Sequence, residues 1–311
     1  MAPLGTTDLD VHPICLGGNV FGWTADRDDS FAVLDAYVAA GGNFIDTADL
    51  YMASAPGNSG GESETIIGEW LRARGNRGQV VIATKVAKLP GRRGLSPDNI
   101  RAAAEDSLRR LGVDHIDLYY AHEDDESVPQ AETMAAFDGL VREGKVRHLA
   151  ASNFTGDRLA SALAASDREG LARFQAVQPH YNLVERAEYE TDLAELVARE
   201  KLPVLPYFAL AKGFLTGKYR PGDTFSDSPR ADAARSYLDE RGVKILTALE
   251  EIATLRGVPE ASVALAWLRA RPSIAAPIAS ARNTDQLTAL LVAAELELTG
   301  AELERLTTAS D

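Results

Sequence analysis

Short apolar runs alternate with amphipathic stretches from Ile14-Cys15-Leu16 to about Pro277, and this strand-then-helix beat narrows the possible folds most. Candidate strands are Phe44-Ile45, Val80 to Ala83, Ile116 to Tyr120, Val146 to Ala151, Ala176-Val177, Val204-Leu205 and Ile274 to Ala276. With one more near Cys15 they number about eight, the count a closed parallel barrel needs. Helical patterns lie between them: Asp28 to Ala40, Glu62 to Arg74, Pro97 to Leu111, Gln130 to Glu143, Thr155 to Ser166, Tyr189 to Glu200 and Ser262 to Arg271. Ser96-Pro97 reads as an N-cap followed by proline at the first helical position, and Gly41-Gly42 and Gly112 sit where helices would end. Strict alternation implies a parallel sheet with right-handed crossovers, either open or closed. An open dinucleotide-binding sheet would want a Gly-x-Gly-x-x-Gly turn after an early strand. The segment Leu16-Gly17-Gly18-Asn19-Val20-Phe21-Gly22 is only a loose match, and no helix clearly starts there. The reading is therefore α/β, a (β/α)8 TIM barrel, with Leu4 to Val11 as a β-hairpin closing its floor.

No composition shift or linker divides the chain, so residues 1–311 read as one barrel domain. An apolar fraction of 45% and a charged fraction of 25% exclude a disordered or fibrous protein. Lys+Arg 32 against Asp+Glu 46 leaves a net charge of −14, which repels phosphate backbones and anionic membranes. Nucleic acid and membrane are thus excluded as partners and a small molecule is expected; oligomeric state is left open. The single cysteine, Cys15, permits no intrachain disulfide and no thiolate metal cage, and no histidine spacing suggests a metal site. The first residues have neither a basic nor an apolar leader, and no apolar run approaches ~18 residues, so a cytoplasmic location is expected.

Active sites of such barrels lie at the C-terminal ends of the strands. The polar residues found there are Asp46, Lys85, His122, Ser152-Asn153, Gln178 and Tyr207, and the last strand leads to Ser280 and Arg282. Side chains two apart share a strand face, so Phe44 with Asp46, Val81 and Ala83 with Lys85, and Leu118 and Tyr120 with His122 point the same way. Asp46, Lys85 and His122, with Tyr51 just beyond, suit proton donation. An adjacent ammonium is expected to lower the tyrosine's pKa, with Asp46 holding the lysine charged. Trp23, Met52 and Phe154 are candidates to wall a substrate pocket. His12, His115, His148 and His180 read as structural histidines, and Glu123 to Glu126 as a solvated acidic loop.

On these residues the sequence resembles the aldo-keto reductase superfamily along nearly its whole length. Gly42-Asn43-Phe44-Ile45-Asp46-Thr47-Ala48-Asp49-Leu50-Tyr51, then Gly61-Glu62-Ser63-Glu64 and Ile67-Gly68, is similar to the family's first signature. The resemblance places Asp46, Tyr51, Lys85 and His122 on catalytic positions, Ser152, Asn153 and Gln178 on those that bind a nicotinamide carboxamide, and Tyr207 on the ring-stacking one. Pro277 to Asn283, with Gln286-Leu287, is similar to the closing cofactor motif, which marks Ser280, Arg282 and Gln286. The chain departs from the family at Leu290, where an adenine-contacting Asn is usual, and at Phe208, where Ser commonly follows the tyrosine. The resemblance implies an NADP(H)-dependent oxidoreductase that reduces a carbonyl substrate, with Tyr51 as general acid. Arg282 is suited to a ribose 2′-phosphate. Gly213 to Arg235, long for a barrel connection, is expected to close over the pyrophosphate, with Lys218 and Arg220 supplying charge. Two other functions stay open: a nicotinamide-binding sensor, as in potassium-channel β subunits, and a Schiff-base lyase using Lys85.

Overall fold

The computed structural model describes residues 1–221 and 231–311. The expected cover over Gly213 to Arg235 therefore lies partly outside the described residues, Gly222 included. Parallel strands β3 (Cys15–Gly17), β4 (Phe44–Asp46), β5 (Val81–Val86), β6 (Ile116–Ala121), β7 (Val146–Ser152) and β8 (Phe174–Gln178) pair in sequence order. Beyond β8 the sheet continues through parallel bridges Val177↔Val204 and Val204↔Ile274, and strand β9 (Ile278–Ala279) pairs with β3. The sheet thereby curls back on its first strand as a (β/α)8 barrel.

The two strands expected at Val204-Leu205 and Ile274 to Ala276 are reduced to single bridges, with the last regular pairing moved to Ile278–Ala279. Pro203, Pro206, Pro272 and Pro277 are the reason, since each lacks the N–H that would extend the ladder. The wall still closes through Leu205 N to Val177 O (2.9 Å), Val204 N to Ser273 O (2.8 Å) and Cys15 N to Pro277 O (3.0 Å).

Alternation of side chains along the strands builds two cores. Facing inward are Cys15, Phe44, Val81, Ala83, Leu118, Tyr120, Ala150, Ala176 and Leu205. Their sequence neighbours Leu16, Ile45, Ile82, Tyr119 and Leu149 face outward and join the helix layer. That layer contains α1 (Arg27–Ala39), α2 (Glu62–Arg74), α3 (Pro97–Leu111), α4 (Gln130–Arg142), α5 (Gly156–Glu169) and α6 (Ala194–Glu200). It continues with α7 (Ala231–Arg235), α8 (Glu240–Arg256), α9 (Glu260–Arg269), α10 (Thr284–Glu295) and α11 (Gly300–Ser310). Ser96 caps α3 and Gly112 ends it in the left-handed region at φ 66°. A wide π-turn, Tyr189–Leu193, precedes α6.

Strands β1 (Ala2–Pro3) and β2 (Asp10–Val11) form the floor hairpin, and Leu4, Leu9 and Val11 plug the inner core from below. Asp8, at the hairpin's tip, lies 2.6 Å from His148 Nε2 and accepts from Arg147 Nη2 at 2.8 Å. These two partners, His148 foremost, hold its carboxyl down at about 2. Among the described residues no helix is long and apolar enough to cross a membrane.

Candidate active site

Parity fixes the inner end of the site. Asp46 ends β4 on the face of Phe44, and Lys85 lies on β5 two residues beyond Ala83, so both side chains enter the barrel above its apolar plug. Lys85 Nζ donates to Asp46 Oδ2 (2.6 Å), the Thr47 carbonyl (2.7 Å) and Tyr51 Oη (2.6 Å). The Tyr51 hydroxyl in turn donates to Asp46 Oδ2 at 2.9 Å. His122, one residue past β6, meets Tyr51 edge to face with ring centroids 6.2 Å apart, and its buried Nδ1 has no partner among the described residues. The structure thus brings all four residues into one cluster.

Electrostatics in the cluster differ from the expectation in one respect. Burial and the Asp46 carboxylate hold Tyr51's pKa well above the usual phenol value rather than lowering it. Burial is the larger cause, and the Lys85 ammonium that would favour a phenolate is already paired with Asp46. Burial lowers Lys85 itself, against the opposing effect of Asp46, and holds His122 well below the imidazole range with help from Lys85 and Lys88. At neutral pH the site therefore presents a protonated phenol beside a neutral imidazole.

A second ring of side chains surrounds this cluster. Gln178 Nε2 donates to Asp46 Oδ1 (3.0 Å), and Ser152 Oγ donates to the Gln178 carbonyl (2.9 Å). Asn153 Nδ2 donates to the His122 carbonyl (2.7 Å) and to Ser152 Oγ (3.0 Å), while its Oδ1 accepts from Tyr207 Oη (2.8 Å). Across the barrel, Ser280 Oγ donates to Asn19 Oδ1 (2.6 Å), and only a glycine at position 17 admits that contact, since a Cβ there would lie 2.6 Å from the serine oxygen. The Gln286 side chain, in the first turn of α10, accepts from Arg282 N (3.1 Å). The Arg282 guanidinium has no ion-pair partner among the described residues.

The sequence model of the aldo/keto reductase family matches residues 13–311, nearly the whole chain. The chain belongs to the aldo/keto reductase family. It is 35% identical to an uncharacterized oxidoreductase, YrpG, of Bacillus subtilis, over 95% of this chain and 91% of that one. It is 32% identical to norsolorinic acid reductase B of Aspergillus parasiticus (95% and 80%). A probable voltage-gated potassium channel subunit beta of Oryza sativa is 31% identical (91% and 88%).

Within this family member several side chains lie elsewhere than expected. Phe154 packs edge-on against Phe174, with ring centroids 5.6 Å apart, as part of the core outside the strands. The left-handed backbone of Asn153 (φ 55°) turns the chain and sends the next side chain toward the helix layer. Trp23 and Met52 remain partly exposed, on loops tied by Asn58 Nδ2 donating to the Gly22 carbonyl (2.9 Å). Leu290 is buried in the core. The acidic loop is tied down, because Arg158 pairs with Asp124, and Asp125 Oδ2 accepts from Leu95 N (2.7 Å). Arg220 is engaged with Glu260 (2.7 Å).

Two residues of the site escaped the reading of the sequence. Asp49, which lies between Asp46 and Tyr51 in sequence, is buried with an Oδ1 that has no partner among the described residues. Burial, with Glu64 nearby, raises its pKa to about 7. His180 stacks on Tyr207 with ring centroids 5.2 Å apart and planes 13° off parallel. Its position two residues beyond Gln178, on the same face, was the available signal.

Proposed function

We propose that the chain is an NADP(H)-dependent carbonyl reductase in which Tyr51 protonates the substrate oxygen. The observation that carries this reading is Lys85 Nζ at 2.6 Å from both Asp46 Oδ2 and Tyr51 Oη at the barrel mouth. Bound, the nicotinamide would supply the hydride that none of the side chains can. The residues present suit such a group: Ser152, Asn153 and Gln178 offer a hydroxyl and two carboxamides able to bind an amide-bearing ring, beside the partly exposed Tyr207 ring. Each of these side chains is engaged with another protein group, so binding would exchange the Gln178–Asp46 and Asn153–Tyr207 contacts for contacts to the ligand.

Tyr51, protonated at neutral pH, would turn its O–H from Asp46 to the developing alkoxide. Lys85 keeps its donor on the phenol oxygen and meets the charge left there, while the neutral His122 ring, edge-on to Tyr51, and a low dielectric complete the surroundings of the phenol. A Schiff-base role is disfavoured: Lys85 is fully buried and its three donors are all used, leaving no lone pair to attack a carbonyl. The channel-subunit relative favours one second reading, a nicotinamide-binding sensor.

Consumption of NADPH against a panel of aldehydes, ketones, keto-sugars and quinones, with NADH alongside, tests the proposal. Turnover of at least one carbonyl supports reduction; nucleotide binding without any turnover favours the sensor. Arg282→Ala should weaken NADPH binding by about tenfold or more and spare NADH, through loss of a charge-assisted partner for the 2′-phosphate. Equal weakening of both would remove that role.

A further inference from the structure

We propose that His180 is a positioning residue for the nicotinamide: its imidazole backs Tyr207, and its neutral state makes that stack favour the oxidised, cationic ring. The inference rests on the cofactor reading above. Its structural basis is separate. The imidazole lies nearly parallel to Tyr207, 5.2 Å away, and the two residues are joined by a parallel bridge across the β8 extension. Phe208 meets both rings edge-on, at 5.6 Å from His180 and 5.2 Å from Tyr207. A tyrosine held in this way cannot tilt freely, which is what a stacking platform requires.

The charge state follows from Asn182. Its Oδ1 accepts from Val184 N (2.9 Å) and Glu185 N (3.0 Å), which fixes the amide orientation. Its Nδ2 then donates to the Phe208 carbonyl (3.0 Å) and faces His180 Nε2 at 3.5 Å. A donor turned toward Nε2 suits an unprotonated nitrogen. The charged groups around the imidazole are Glu185 and Glu188 on its own loop and Lys212 on the loop after Tyr207. Burial, with Lys212, outweighs the two carboxylates and lowers the histidine from its ordinary value. An imidazolium behind Tyr207 would withdraw density from the phenol ring and oppose a cation on the other face. NADPH, whose nicotinamide is neutral, would be affected less.

The test is the affinity of the protein for NADP+ and for NADPH, read by tryptophan quenching from about pH 7.5 down to the lowest pH at which it stays folded. The 2′-phosphate titrates in this range but is common to both forms, so the ratio of the two affinities isolates the nicotinamide charge. His180→Leu should weaken both forms about three- to tenfold at about pH 7.5, as expected for loss of an aromatic pair, and His180→Phe should restore them. Because burial holds His180 below the ordinary imidazole range, the ratio of NADP+ to NADPH affinity should stay constant until the imidazole takes its proton and fall beyond that point in the wild-type protein, but not in His180→Phe; a wild-type ratio unchanged over the whole range would overturn the charge argument. Unchanged affinities in His180→Leu would overturn the positioning role, and a wild-type pH response kept in His180→Phe would overturn the charge argument. If the wild-type protein binds neither nucleotide, the cofactor reading falls and takes this inference with it.

Discussion

Lys85 and Asp46 are buried together, and among the described residues each is the other's only full counter-charge within hydrogen-bond reach. Lys85→Met would leave a carboxylate inside the barrel without compensation, and a loss of about 3–5 kcal/mol in denaturant unfolding is expected. Pairing it with Asp46→Asn should recover part of that loss; a single-variant loss below about 1 kcal/mol would mean that the pair is not buried as described. Asp49 behaves in the opposite sense. Its folded pKa of about 7 lies above the ordinary 3.8, so the native state holds a proton that the unfolded chain releases between those values. Asp49 therefore costs little below about pH 4, and its destabilising effect grows until pH passes about 7. Asp49→Asn should consequently match the wild type at acid pH and exceed it above neutrality. A constant difference across pH would show that Asp49 does not titrate in the native state. The cluster of Asp46, Tyr51, Lys85 and His122 was legible because strand parity alone aims three of its members inward. Asp49 was not, since a loop residue's burial depends on Glu64 and Arg110 arriving from α2 and α3.

Elements differ in how much of their form is local. Ser96 and Pro97 start α3, and Gly112 stops it, with signals contained in adjacent residues. The strands around Val204 and Ile274 are apolar enough to be found but too proline-flanked to form ladders, so their place in the barrel comes from the neighbours they bridge. The hairpin β1–β2 is too short to stand alone and is held mainly by what its turn buries. Leu9 is 2% exposed inside the barrel floor, whereas the Asp8 side chain is 69% exposed despite its ion pairs. Leu9→Ala should thus cost about 2–5 kcal/mol and Asp8→Asn less than about 1 kcal/mol. The reverse order in urea unfolding would mean that the hairpin is latched by charge rather than by apolar contact.

At the scale of the whole molecule, the barrel lets short polar side chains from distant parts of the sequence meet: Asp46 and Gln178 are bonded across the interior. Closure and inward parity were readable from the alternating pattern. The mutual engagement of Gln178 with Asp46 and of Asn153 with Tyr207 was not, because it depends on how the strand ends are staggered. The central claim is that this enclosed cluster donates a proton from Tyr51. Single-turnover reduction of a carbonyl by bound NADPH, compared between the wild-type protein and Tyr51→Phe, tests it most directly. The account predicts unchanged NADPH affinity and a chemical step slowed about 10²–10⁴-fold in the variant. A variant within about tenfold of the wild type, with the same affinity, would contradict it and place the acid elsewhere.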